Sequence, residues 1–163
     1  MFLGLPALLL CHGSPEDLRG WAAERPDDAR RWLEEADAGA LICAHTHRPS
    51  VAAIEGRLIV NAGSVGLSEE PGQAQFALLT GENGAWRAEI ARAPYDVERT
   101  VSEFSEDGFR EAAGLWPVMV EKQLREGGNP GVSFVARAYA LWTGPGPIPE
   151  DIWRRAARET GII

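Results

Sequence analysis

The chain carries three histidines, and each closely follows an apolar run. His12 follows Ala7-Leu8-Leu9-Leu10-Cys11. His45 and His47 follow Ala40-Leu41-Ile42-Cys43, with Ala44 between. Neutral imidazoles suit zinc, iron, nickel and manganese, whereas carboxylates suit harder ions. A third apolar run, Leu58-Ile59-Val60, leads into Asn61-Ala62-Gly63-Ser64-Val65-Gly66. Open α/β sheets bind ligands beyond the carboxyl ends of their strands. Three such exits, each with imidazoles or small polar residues, predict one metal or phosphate site. A lone His-x-His is more often packed or surface histidine than metal ligand, and residues 61–66 alone are as readily a structural turn. Only the set carries the reading. Arg48 could neutralise substrate charge, with a solvated surface arginine as the equal alternative.

These residues need strands to place them. Residues 7–11 read as a buried strand. Ser14-Pro15-Glu16-Asp17 has the chemistry of a helix start, with serine to cap and proline at the first position. Residues 18–24 continue that helix. Pro26-Asp27-Asp28 begins another, with Ala29, Trp32, Leu33 and Ala36 on one face, ended by Gly39. The crossover into residues 40–43 makes the two strands parallel. Glu55-Gly56 joins residues 51–54 and 57–60 as a tight hairpin. Residues 75–80 and 86–93 form a second hairpin about Gly81-Glu82-Asn83-Gly84.

From Pro94 the pattern turns helical. Asp96 caps a helix containing Val97, Val101 and Phe104. Residues 108–126 read as a helix interrupted at Pro117, residues 132–142 as another, and Pro149-Glu150-Asp151 starts a last one through Arg158. The expected class is α/β, with residues 1–93 as one domain and a helical tail over residues 94–163.

Composition narrows the function. Hydrophobic residues make up 45% of the 163, enough for a core. Sixteen basic against 24 acidic residues give a net charge of −8, which argues against a duplex nucleic-acid partner. A phosphorylated substrate stays compatible, because bound metal supplies local positive charge. Cys11 and Cys43 end apolar runs and read as free thiols in a reducing, cytoplasmic setting. Residues 1–10 lack the basic start and cleavage site of a secretory leader. They read as a short lead-in and a strand. No run approaches the length of a membrane span.

In this order, His12-Gly13, Ala44-His45-Thr46-His47 and Asn61-Ala62-Gly63-Ser64-Val65-Gly66 resemble the C-terminal half of a calcineurin-like metallophosphoesterase. The small bacterial phosphodiesterases are the nearest subgroup. Ala44 stands where the motif has glycine and Ala62 where it has proline. The family's earlier blocks, Asp-x-His, Gly-Asp-x-x-Asp and Gly-Asn-His-Asp/Glu, are not in this sequence, and only eleven residues precede His12.

The resemblance implies a β-sandwich flanked by helices and two divalent ions, manganese first, with iron, nickel or zinc as alternatives. By position, His12 and His45 match ligands of one ion and His47 a ligand of the other. Asn61, Gly63, Ser64 and Arg48 would line the substrate pocket. The implied reaction is hydrolysis of a phosphoric mono- or diester, on a phosphorylated small molecule or a nucleotide. With half the ligands absent, the expectation is a short chain inactive alone. Its strands at residues 7–10 and 41–43 would be open to self-association. The alternative is a non-catalytic metal-, phosphate- or partner-binding remnant of the fold.

Overall fold

The computed structural model describes residues 4–163, so the lead-in at residues 1–3 lies outside the described residues. The chain divides into two compact units. One runs through Gly66 and resumes over Gln73–Ala93; the other comprises Leu67–Gly72 and Pro94–Ile163.

The first unit contains β1 (Ala7–Leu10), a 3₁₀ turn (Ala22–Glu24), α1 (Pro26–Glu35), β2 (Ala38–Cys43), β3 (Ser50–Ile54) and β4 (Arg57–Asn61). The hairpin β5 (Gln73–Glu82) and β6 (Ala85–Pro94) follows. Four strands form one sheet in the order β1-β2-β4-β3. β2 is parallel to both β1 and β4, while β3 returns antiparallel along β4. Leu41, Cys43 and Ile59 join Ala29, Trp32 and Leu33 of α1 in one buried cluster. Ala40 and Val60 are wholly buried as well. Parallel strands covered on both faces produce such unbroken apolar runs.

Turn chemistry sets the hairpins. Glu55 and Gly56 have φ of 49° and 78°, and Asn83 and Gly84 have 52° and 76°. Positive φ at both central residues is what a type I′ hairpin turn requires. The second hairpin therefore turns on Asn83-Gly84 alone, and Gly81 and Glu82 are still in β5.

Four local expectations are corrected. Residues 14–24 are not a helix. The Ser14 hydroxyl accepts from the Asp17 amide at 3.0 Å, and the Ser14 amide donates to the Asp17 carbonyl at 2.8 Å. The chain then folds back, so that a Cβ on Gly13 would lie 2.5 Å from the Gly20 nitrogen. Gly39 does not end α1 but sits inside β2, where a Cβ would lie 2.6 Å from that of Pro6. Ala36 lies beyond the last turn of α1 and is exposed. β1 is not buried: it borders the sheet among the described residues, and Leu10 keeps 69% of its surface exposed.

The second unit holds α2 (Val97–Glu106), α3 (Phe109–Ala112), α4 (Leu115–Glu126), α5 (Pro130–Leu141) and α6 (Glu150–Glu159). Asp96 caps α2 through its side chain, accepting from the Arg99 amide at 3.0 Å. Val101, Met119, Leu124, Phe134, Ala138, Ala156 and Ala157 form the core. The helical break lies at Gly114, φ 59°, and not at Pro117. Pro117 is the third residue of α4, where no intrahelical donor is missed. Residues 67–72 belong here because the Gln123 amide donates to the Leu67 carbonyl at 2.8 Å and Gly128 N–H to the Glu69 carbonyl at 2.9 Å. No described helix is long and apolar enough to cross a membrane.

Candidate metal centre

Parallel pairing of β1, β2 and β4 brings their carboxyl ends to one edge of the sheet. The ladder continues past the strands. Ala44 N–H donates to the His12 carbonyl at 2.8 Å, and Ala62 N–H to the Cys43 carbonyl at 3.0 Å. The loops bearing His12, His45–His47 and Asn61 are thus stitched side by side through their backbones.

His12 and His45 meet. His12 Nε2 lies 3.3 Å from His45 Nδ1, and the rings pack edge to face with centroids 5.2 Å apart. His12 is exposed, and His45 and His47 are half-buried. Both residues of the His-x-His pair are in left-handed backbone, with φ of 62° at His45 and 58° at His47. Thr46 N–H donates to the Ala44 carbonyl at 2.7 Å. With its positive φ, His45 is therefore the apex of the rare, strained form of γ-turn. The strain falls on the histidines and not on Ala44, the position at which the resemblance departs from glycine.

Asn61 is fully buried. Its side-chain amide donates to the Ala44 carbonyl at 2.9 Å and to the Thr46 hydroxyl at 2.8 Å, and its oxygen accepts from Gly63 N–H at 3.0 Å. Gly63 is buried at φ 77°, with a Cβ there only 2.7 Å from Gln75 Oε1 and 3.1 Å from Pro49 Cβ. The Ser64 carbonyl accepts from Gln75 N–H at 3.0 Å. Ser64 is half-buried and Arg48 is exposed. Thr46 and Gln75 are the participants that sequence reasoning missed. Thr46 was legible as the middle of His-x-His; Gln75, in β5, carries no local signal.

The donor geometry can be tested against a metal. Two nitrogens bound tetrahedrally at about 2.0–2.1 Å stand about 3.3 Å apart, the spacing found between His12 and His45. The spacing is that of two imidazoles on one divalent ion, and equally that of a hydrogen bond between the two rings, with the donor set by the tautomer. Among the described residues, no group of three or more His, Cys, Asp or Glu side chains is arranged to hold one. The fit therefore extends to two donors, with further ligands needed to complete the coordination.

Comparison with known proteins identifies the family. The model of the calcineurin-like phosphoesterase superfamily domain matches residues 3–84. The chain belongs to that superfamily. Among solved structures, a hypothetical protein from Pyrococcus horikoshii OT3 is 21% identical, with a TM-score of 0.56 over 76% of this chain and 48% of that one. A metallophosphoesterase from Sphaerobacter thermophilus is 20% identical, with a TM-score of 0.49 over 72% and 54%. Vps29 from Entamoeba histolytica, complexed with Zn²⁺, is 17% identical, with a TM-score of 0.34 over 44% and 48%. The chain spans about half the length of these structures. No curated protein matches.

Cys11 and Cys43 are free thiols beside the two histidine exits, Cys11 half-buried and Cys43 buried. Burial raises both pKa values, that of Cys43 from 9.0 to about 11. The unfolded chain thus releases this proton first as pH rises. Cys43 favours folding below pH 9, and its contribution is lost between about 9 and about 11. Resistance of the first unit to denaturant should fall across that window, and Cys43→Ala should flatten the slope. Gly63→Ala should cost about 1–3 kcal/mol, through positive φ and the clash with Gln75. Its thermal midpoint would report the loss.

Proposed function

We propose that this chain supplies the histidine-bearing part of a divalent-metal phosphoesterase centre, and that the reaction served is hydrolysis of a phosphoric mono- or diester. The observation that carries the reading is the 3.3 Å approach of His12 Nε2 to His45 Nδ1 at the edge where three parallel exits converge. His12 and His45 would hold one ion and His47 would face a second. Manganese is the first candidate, then iron, nickel or zinc. Bound divalent ions supply Lewis acidity to a phosphoryl oxygen and make hydroxide available near neutral pH. Around them, exposed Arg48 would receive substrate charge and half-buried Ser64 would offer hydrogen bonds, while buried Gly63, its N–H held by Asn61, would shape the loop behind the pocket. A phosphorylated small molecule or nucleotide is the proposed substrate, and the cytoplasm, where free thiols persist, the proposed compartment.

Ligand count limits what the chain does alone. Three imidazoles cannot fix two ions about 3.5–4 Å apart without carboxylates. Calorimetric titration with manganese, nickel and zinc should give binding that His12→Ala and His45→Ala each weaken at least about tenfold. Turnover of p-nitrophenyl phosphate and its bis-ester should be near background until the carboxylate motifs absent from this sequence are supplied. Robust turnover by the chain alone, lost in His47→Ala, would refute the ligand-count argument.

A second reading is a non-catalytic metal-, phosphate- or partner-binding domain of the same fold. It is favoured by the lack of a group of three ligand-type side chains among the described residues. Metal binding that persists without turnover, even with the carboxylate motifs supplied, would select it. The β1 edge and exposed Leu10 also favour self-association, since open strands and apolar surface recruit partners. Light scattering should therefore give a mass above one chain, and a monodisperse monomer would refute this.

A further inference from the structure

The γ-turn at Ala44-His45-Thr46 places its strain on His45. A non-glycine residue held at φ 62° needs the surroundings to over-determine it. The turn's own hydrogen bond, from Thr46 N–H to the Ala44 carbonyl, closes only one ring.

We propose that Asn61 is the positioning residue of this centre, a clamp whose buried amide grips both ends of the turn and so aims the His45 imidazole at His12. The inference rests on the metal reading and adds a role to a residue expected to touch substrate. One amide nitrogen has two hydrogens, and both are used across the turn. One goes to the Ala44 carbonyl before the apex and the other to the Thr46 hydroxyl after it. The amide oxygen has a different task, accepting from Gly63 N–H two residues along its own loop. A single fully buried side chain therefore locks the second and third exits to each other. With its hydrogens and oxygen so used, Asn61 has no exposed surface to offer a substrate. It acts through His45.

The geometry also explains why an amide suits the position. A carboxylate would face the Ala44 carbonyl with a lone pair, and a hydroxyl could donate only once. Leucine keeps the volume and loses every hydrogen bond.

The test uses Asn61→Leu and, as the milder change, Thr46→Val, which removes one acceptor and leaves Asn61 in place. Two readouts are taken on the full chain well below its thermal midpoint. One is the zinc dissociation constant, by competition with a chelator. The other, free of metal, is the nuclear Overhauser effect between the His12 and His45 ring protons, expected from rings 5.2 Å apart. Asn61→Leu should weaken zinc binding about 10- to 100-fold, the usual effect of removing a group that orients a ligand, and should abolish the ring contact. Thr46→Val should weaken binding by a smaller factor and diminish the contact. If Asn61→Leu does not fold, Thr46→Val carries the test.

A merely structural residue would lower the thermal midpoint while leaving both readouts at wild-type values. Zinc affinity within twofold of wild type, with the ring contact retained, would overturn the clamp. Failure of the metal reading looks different: the wild-type chain would bind no zinc, while Asn61→Leu still abolished the ring contact. In that case the positioning role stands without the metal.

Discussion

Everything at the candidate centre depends on β2 being parallel to both its neighbours. Parallel strands point their carboxyl ends the same way, so loops far apart in sequence leave the sheet at one edge. Had β4 run antiparallel to β2, Asn61 would emerge at the opposite end from His45. The register carries this beyond direction. Cys43 lies opposite Asn61, and backbone bonds continue from Ala44 to His12 and from Ala62 to Cys43. The histidine side chains inherit their positions from a ladder that has run one step past its last strand residue.

That inheritance brings strain. Left-handed backbone at a non-glycine residue costs about 1–3 kcal/mol, and His45 and His47 both adopt it. The three hydrogen bonds of Asn61 are worth about 0.5–1.5 kcal/mol each in net terms. The two quantities are of similar size, so one buried side chain can offset much of the conformational cost. Leaving those donors and the Gly63 N–H without partners would cost more than the bonds gain. This asymmetry makes a buried amide a firm restraint.

Much of this was legible in the residues. The apolar runs before His12, His45 and Asn61 mark the strands, and the crossover rule makes β1 and β2 parallel. The glycines of Glu55-Gly56 and Asn83-Gly84 mark the hairpins. What stayed hidden depends on contacts between distant segments. Ser14-Pro15-Glu16-Asp17 has the local chemistry of a helix start, but Gly13 and Gly20 must pack backbone to backbone, and that closeness overrides propensity. Gly39 looks like a helix terminator; its reason for being glycine is Pro6, across the sheet. Pro117 draws attention as a breaker, although the first turn of a helix tolerates proline and Gly114 makes the break. Asn61 reads as a polar loop residue until its burial is known. Residues 67–72 give no sign that their partners lie near Gln123 and Gly128.

His12 and His45, packed edge to face, lie in the loops that leave β1 and β2, strands separated in sequence by a whole crossover. A ligand gripping both imidazoles ties the border strand to the central one from beyond the ladder. β1 has β2 as its one strand partner among the described residues, so it is where the sheet would begin to fray. Ligand occupancy and the closing of that seam would then be coupled, so that whatever loosens the border strand would also loosen the grip on the ligand.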